Sequence, residues 1–132
     1  MATTPEKIRE LISQGESSAV EFKSADVRPE SLAMEMAAFS NTMGGTILVG
    51  VNDDGGVEGM ERPDFDQWVA NIARNNVTPA IAPQISVVRV DGYNGIAQRF
   101  QYIRLFSLIR HDFQHLFPVM TNSLPVCSIC LK

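Results

Sequence analysis

The chain has 132 residues, 45% hydrophobic and 20% charged, with a formal net charge of −4. That is the size and make-up of one ordinary globular domain with a single modest core. Residues 1–92 carry seven basic and fourteen acidic side chains, and residues 93–132 carry four and one. An acidic main body lacks the uniformly basic footprint of a strong nucleic-acid binder.

In chain order, Thr4-Pro5 reads as a helix start, Ile8, Leu11 and Ile12 as its apolar stripe, and Gly15 as its end. Ala19 to Lys23 reads as a strand, with Val20 and Phe22 on one face and Ala19, Glu21 and Lys23 on the other. The shared face makes an ion pair between Glu21 and Lys23 the plain expectation. A second helix is expected from Pro29, on a stripe of Leu32, Met36, Phe39 and Met43. Gly44 or Gly45 would close it.

Thr46 to Val51 is a continuous apolar run, as in a strand buried on both faces. Asp54-Gly55 signals a two-residue hairpin turn. The run Phe39–Gly59 is therefore expected to bring Asn41-Thr42, the flexible glycines and the aspartates together at one end of a sheet. Asp64 with Gln67 reads as a capping box for a third helix. Its stripe is Phe65, Trp68, Val69, Ile72 and Ala73, and Trp68 is read as core. Gln84 to Val90 alternates as a strand, with Ile85, Val87 and Arg89 on one face.

After Gly92 the hydrophobic spacing fits neither period. We assign residues 1–92 to one domain and 93–132 to an atypical tail, which either completes that domain or is aberrant. The start has no apolar leader, and Ile96–Ile109 is too short and too charged to span a bilayer, so the expectation is a cytoplasmic protein with no membrane partner.

Several motifs occur together. They are Glu16-Ser17, Val20-Glu-Phe-Lys23, Ala38-Phe-Ser-Asn-Thr42, Gly44-Gly-Thr46, Gly50-Val-Asn-Asp-Asp-Gly55, Val57-Glu-Gly59 and Pro79-Ala-Ile-Ala-Pro83. In this order and spacing the chain resembles the Schlafen/AlbA-type DNA-binding domain, also called a divergent AAA domain, over roughly residues 5–92. The resemblance implies an α+β fold of two layers, a mixed, mainly antiparallel sheet packed against helices. It implies a nucleic-acid-binding module of a transcriptional regulator, with DNA or RNA as partner. In vertebrate Schlafen proteins a related pair of such lobes cleaves RNA with two glutamates and one aspartate. Carried over by motif, these fall on Glu16, Glu21 and Asp53, which would hold Mg²⁺ or Mn²⁺ in a metal-dependent ribonuclease. This chain has one lobe, so a paired arrangement would require a homodimer.

The divergent-AAA label also raises an ATP-binding regulatory domain. Asn41, Thr42, Gly44 and Gly45 could offer donors to a phosphate. The glycines follow a helix, however, and no Gly-x4-Gly-Lys-Ser/Thr run exists. The plainer reading is a helix cap with close helix–strand packing. Lys23, Arg28, Arg74 and Arg89 are candidate phosphate contacts. In the tail, Arg99, Arg104 and Arg110 with Phe100, Tyr102 and Phe106 mix types suited to single strands, or to amphipathic surface and core. His111, His115, Cys127 and Cys130 have nominal zinc spacing in an unfamiliar order.

Overall fold

A computed structural model describes residues 3–93, 96–106 and 128–129. It contains three helices and six strands among these residues: α1 Pro5–Gln14, β1 Val20–Lys23, α2 Pro29–Ser40, β2 Gly45–Val49, α3 Phe65–Asn75, β3 Val77–Thr78, β4 Gln84–Tyr93, β5 Ile96–Leu105 and β6 Ser128–Ile129. The class is α+β. Four strands form one sheet in the order β1-β2-β5-β4, with β1 and β2 parallel and the other neighbours antiparallel. β3 and β6 form a separate antiparallel pair.

Local chemistry accounts for most of these elements. The Thr4 side chain accepts a hydrogen bond from the Lys7 N–H at 3.3 Å, and Pro5 opens α1. The Gly15 N–H closes α1 on the Leu11 carbonyl. Alternation along the strands divides the core in two. Ile47, Val49, Ile103 and Leu105 meet Leu32, Met36 and Phe39 of α2 and Phe65, Val69 and Ile72 of α3 on one face. Phe22, Leu48, Val88, Val90 and Phe100 meet Ile8 and Ile12 of α1 on the other. The main helical layer is thus α2 with α3, and α1 adds one helix on the opposite face.

β5 is the main structural addition to the sequence reading. It lies between β2 and β4, so residues beyond Gly92 supply an inner strand of the sheet. Phe100, Gln101, Ile103 and Leu105 are all buried. Both faces of β5 mix polar with apolar residues, Gln101 with Ile103 and Leu105 on one and Arg104 with Phe100 and Tyr102 on the other, which is why no period of two was visible.

Three further expectations need correction. Met43 is not part of the α2 stripe: the helix stops at Ser40, and Met43 is 81% exposed. Asp64 precedes α3 but makes no side-chain cap; its carboxylate takes the Arg62 Nε–H at 2.9 Å instead. On β4 the expected alternation is present: Ile85, Val87 and Arg89 share one face, where Ile85 packs on the core and Val87 is 58% exposed, while Val88 and Val90 are buried on the other. The hairpin is a three-residue loop, because Asn52 and Gly56 close it through Asn52 N–H to Gly56 O at 2.8 Å. Inside it, the Gly55 N–H bonds Asn52 O at 2.9 Å, and positive φ falls on Gly55 (84°). After the loop, Val57 makes one bridge to Val51. Trp68 is half-buried; it packs against the core and carries the Arg62 guanidinium 4.4 Å from its ring centroid.

Candidate functional site

β1 places Glu21 and Lys23 on the face covered by α2, because Phe22 between them points to the α1 side. There the Lys23 ammonium lies 3.4 Å from Glu21 and 3.3 Å from Glu35 of α2. The Glu21–Lys23 ion pair expected from strand alternation is therefore present, and Glu35 is a third member that the sequence reading missed. Its signal was available: a lysine directed at a helical layer calls for a counter-ion on that helix. Burial, then Glu35 and Glu16, hold the Glu21 carboxyl above the ordinary carboxylate range, against the lowering effect of Lys23. Burial lowers the Lys23 ammonium, but Glu35 and Glu21 more than offset this and leave it raised.

Glu16 stands just before β1. Its Oε1 accepts the Phe22 N–H at 3.0 Å. Because β1 is an edge strand, this carboxylate satisfies a donor that no neighbouring strand reaches. Asp53 is exposed in the hairpin loop after β2. With Ser24, Asn52 and Asp54 it lines an open cleft of about 390 Å³. Asp54 Oδ1 accepts the Gly56 N–H at 2.9 Å, and Glu58 Oε1 accepts the Ala25 N–H at 2.7 Å, tying the two loops together. The paired aspartates make this end of the sheet hostile to a bare phosphate.

Asn41, Thr42 and Gly44 lie at the other end of β2. The five residues of β2 separate them from the aspartates by about 16 Å. The expected gathering of the Asn-Thr pair and the aspartates at one end of the sheet is therefore corrected: a strand runs between them. The N–H groups of Thr42 and Gly44, and the Thr42 hydroxyl, all donate to the Phe39 carbonyl at 3.1 Å. Gly44 has φ of 86°, and a Cβ on Gly45 would fall 2.3 Å from the Phe39 ring. The loop's donors close α2, and its glycines let β2 pack tightly against that helix.

A divalent ion on Glu16, Glu21 and Asp53 would need their oxygens in one coordination sphere. Glu21 is held by Lys23, Glu16 by the β1 backbone, and Asp53 belongs to the hairpin cleft. Among the described residues, no three His, Cys, Asp or Glu side chains form a metal-holding group. As placed, the trio does not fit a shared ion. The His111, His115, Cys127 and Cys130 set lies outside the described residues, as does Arg110.

Of the basic residues, Lys23 is paired as described and Arg89 pairs with Asp91 at 3.1 Å. Arg9 donates to the Asp91 carbonyl. Arg28, Arg74 and Arg104 are exposed and have no carboxylate partner among the described residues. They sit apart, at the start of α2, the end of α3 and the end of β5. No described helix is long and apolar enough to cross a membrane.

No curated protein matches the chain. A family match, to Schlafen, AlbA_2, covers residues 16–115. It takes in the Glu16 and Val20–Lys23 motifs, the α2–β2 turn and the hairpin, and it continues past Gly92 through β5. The match spans more than two-thirds of the sequence, and the chain belongs to the Schlafen, AlbA_2 family.

Proposed function

We propose that this chain is a nucleic-acid-binding module of a transcriptional regulator. The observation that carries the reading is family membership over residues 16–115. It is supported by Arg28, Arg74 and Arg104, exposed cations without carboxylate partners among the described residues. Contacts of this kind go to phosphates and tolerate many sequences. The acidic hairpin cleft and the neutralised Lys23 keep the nucleic acid away from the Glu21 face.

A ribonuclease is the second reading, favoured by one observation. The Glu21 carboxyl is raised by burial and by two neighbouring carboxylates, the kind of shift that equips a carboxyl for proton transfer.

One gel separates the two. The protein meets labelled duplex DNA, single-stranded RNA and folded RNA, with Mn²⁺ or with chelator, beside Glu21→Ala. A shift without cleavage, retained in Glu21→Ala, is expected for the binding module. Cleavage lost in Glu21→Ala would establish the enzyme. No shift and no cleavage from folded protein would contradict both.

A further inference from the structure

Among the described residues, the α1 face of the sheet is covered only in part. α1 packs on Phe22, Leu48, Val88, Val90 and Phe100, toward the end of β5 that leaves β4. The opposite end of that face carries two cross-strand rows. In one, Thr46 of β2, Arg104 of β5 and Gln84 of β4 stand in register. In the next, Leu48 is followed by Tyr102 and Ser86. Arg104 and Gln84 are exposed, and Thr46, Tyr102 and Ser86 are half-buried. Phe106, just past β5, is 52% exposed, and the Arg104 guanidinium lies 5.3 Å from its ring centroid. Thr46 Oγ1 and the Tyr102 hydroxyl are 3.3 Å apart, which holds the tyrosine at the middle of the patch.

These rows contain no Asp or Glu in a chain of net charge −4. The nearest acid before β1, Glu16, is turned to the Phe22 N–H at the far edge of the sheet. Side chains two apart on a strand are spaced by about 6.7 Å. Tyr102, Arg104 and Phe106 therefore form a short stripe of aromatic, cation and aromatic, flanked by hydroxyls and an amide. A polyanion that also offers flat bases matches both halves of this chemistry. A duplex does not, because its bases are stacked away inside.

We infer that the Tyr102–Arg104–Phe106 stripe of the sheet binds single-stranded nucleic acid, with a base on Phe106 and a phosphate on Arg104. This rests on the nucleic-acid reading above and narrows it to one surface and one class of strand.

The test is fluorescence anisotropy of the full chain with labelled oligo-dT, oligo-U and a duplex of equal length, over a range of salt. Phe106→Ala and Arg104→Gln are compared with wild type and with Arg62→Gln, whose cation pairs with Asp64 beside α3 on the other face of the sheet. Both patch residues are exposed, and circular dichroism checks that the variants fold. The expected result is tighter binding of single strands than of duplex. Phe106→Ala should lose about five-fold or more in affinity. Arg104→Gln should lower the slope of log K against log salt by about 0.7. Arg62→Gln should change neither.

If the wild-type chain binds the oligonucleotides but the patch variants match it, the surface is overturned and the broader reading survives. If nothing binds, both fail. Self-association of the free protein that Phe106→Ala abolishes, with single-strand binding unchanged, would make the patch a protein contact and overturn the proposal.

Discussion

Lys23 on β1 and Glu35 on α2 meet across the two layers at 3.3 Å, twelve residues apart in the chain. The same ammonium lies 3.4 Å from Glu21. One cation thus separates two partly buried carboxylates, and it ties the edge strand to the helix above it. Replacing it leaves two like charges facing each other in a medium less polarisable than water. Lys23→Met should cost about 1–2 kcal/mol, between the values for surface and buried pairs. A urea melt at neutral pH reads this as a lower midpoint. An unchanged midpoint would mean that solvent screens the cluster.

The cluster also predicts a pH dependence. Glu21 binds its proton more tightly in the folded state, because burial, Glu35 and Glu16 outweigh Lys23. A carboxyl raised on folding contributes stability that is complete below its unfolded value and is lost as pH rises through its folded value. The window is the weakly acid range just above the ordinary carboxylate value. Glu21→Gln removes this slope. Unfolding free energies measured from about pH 4 to 8 should show the variant gaining on wild type as pH rises through that window. A constant difference would contradict the assignment. Lys23, also raised, acts only in the alkaline range, where its contribution is lost.

Glu16 separates a structural role from a catalytic one. Its Oε1 accepts the edge-strand Phe22 N–H, and an amide oxygen accepts equally well. Glu16→Ala should lose about 1 kcal/mol or more, and Glu16→Gln should recover most of it. If both variants melt alike, the contact adds nothing. If any cleavage activity is found, its loss in Glu16→Gln with intact stability would show that the charge serves chemistry.

Phe100 tests whether β5 belongs to the same cooperative unit as the residues before Gly92. It is fully buried against α1, β2 and β4 residues. Phe100→Ala should destabilise by about 3–5 kcal/mol, seen as one cooperative transition shifted to lower denaturant. A small effect, or a separate early transition, would mean that the sheet before Gly92 holds without it.

The sequence made local structure legible and long-range pairing much less so. α1, α3 and the body of α2 followed from apolar spacing, and β1 and β2 from alternation and a β-branched run. Met43 was misassigned because its spacing continued the Phe39 stripe, although the chain had already turned at Asn41 to Gly44. The alternation of β4 was legible too, with Ile85, Val87 and Arg89 on one face as expected. β5 was unreadable because both of its faces mix polar and apolar residues, and its partners lie as far away as Gly45. At the candidate site, the Glu21–Lys23 pair was legible from strand geometry. Glu35 is harder to read, since it comes from a different element. Asn41-Thr42 and Asp53 looked adjacent because they are near in sequence, and β2 holds them apart.

The proposed binding of nucleic acid draws on the charge of its phosphate backbone. Its most direct test is the salt dependence of binding to a mixed-sequence labelled oligonucleotide. Measurable affinity is expected at about 50 mM salt, with log K falling linearly as log salt rises. Folded protein that shows no anisotropy change at that salt, on single strand or duplex, would contradict it.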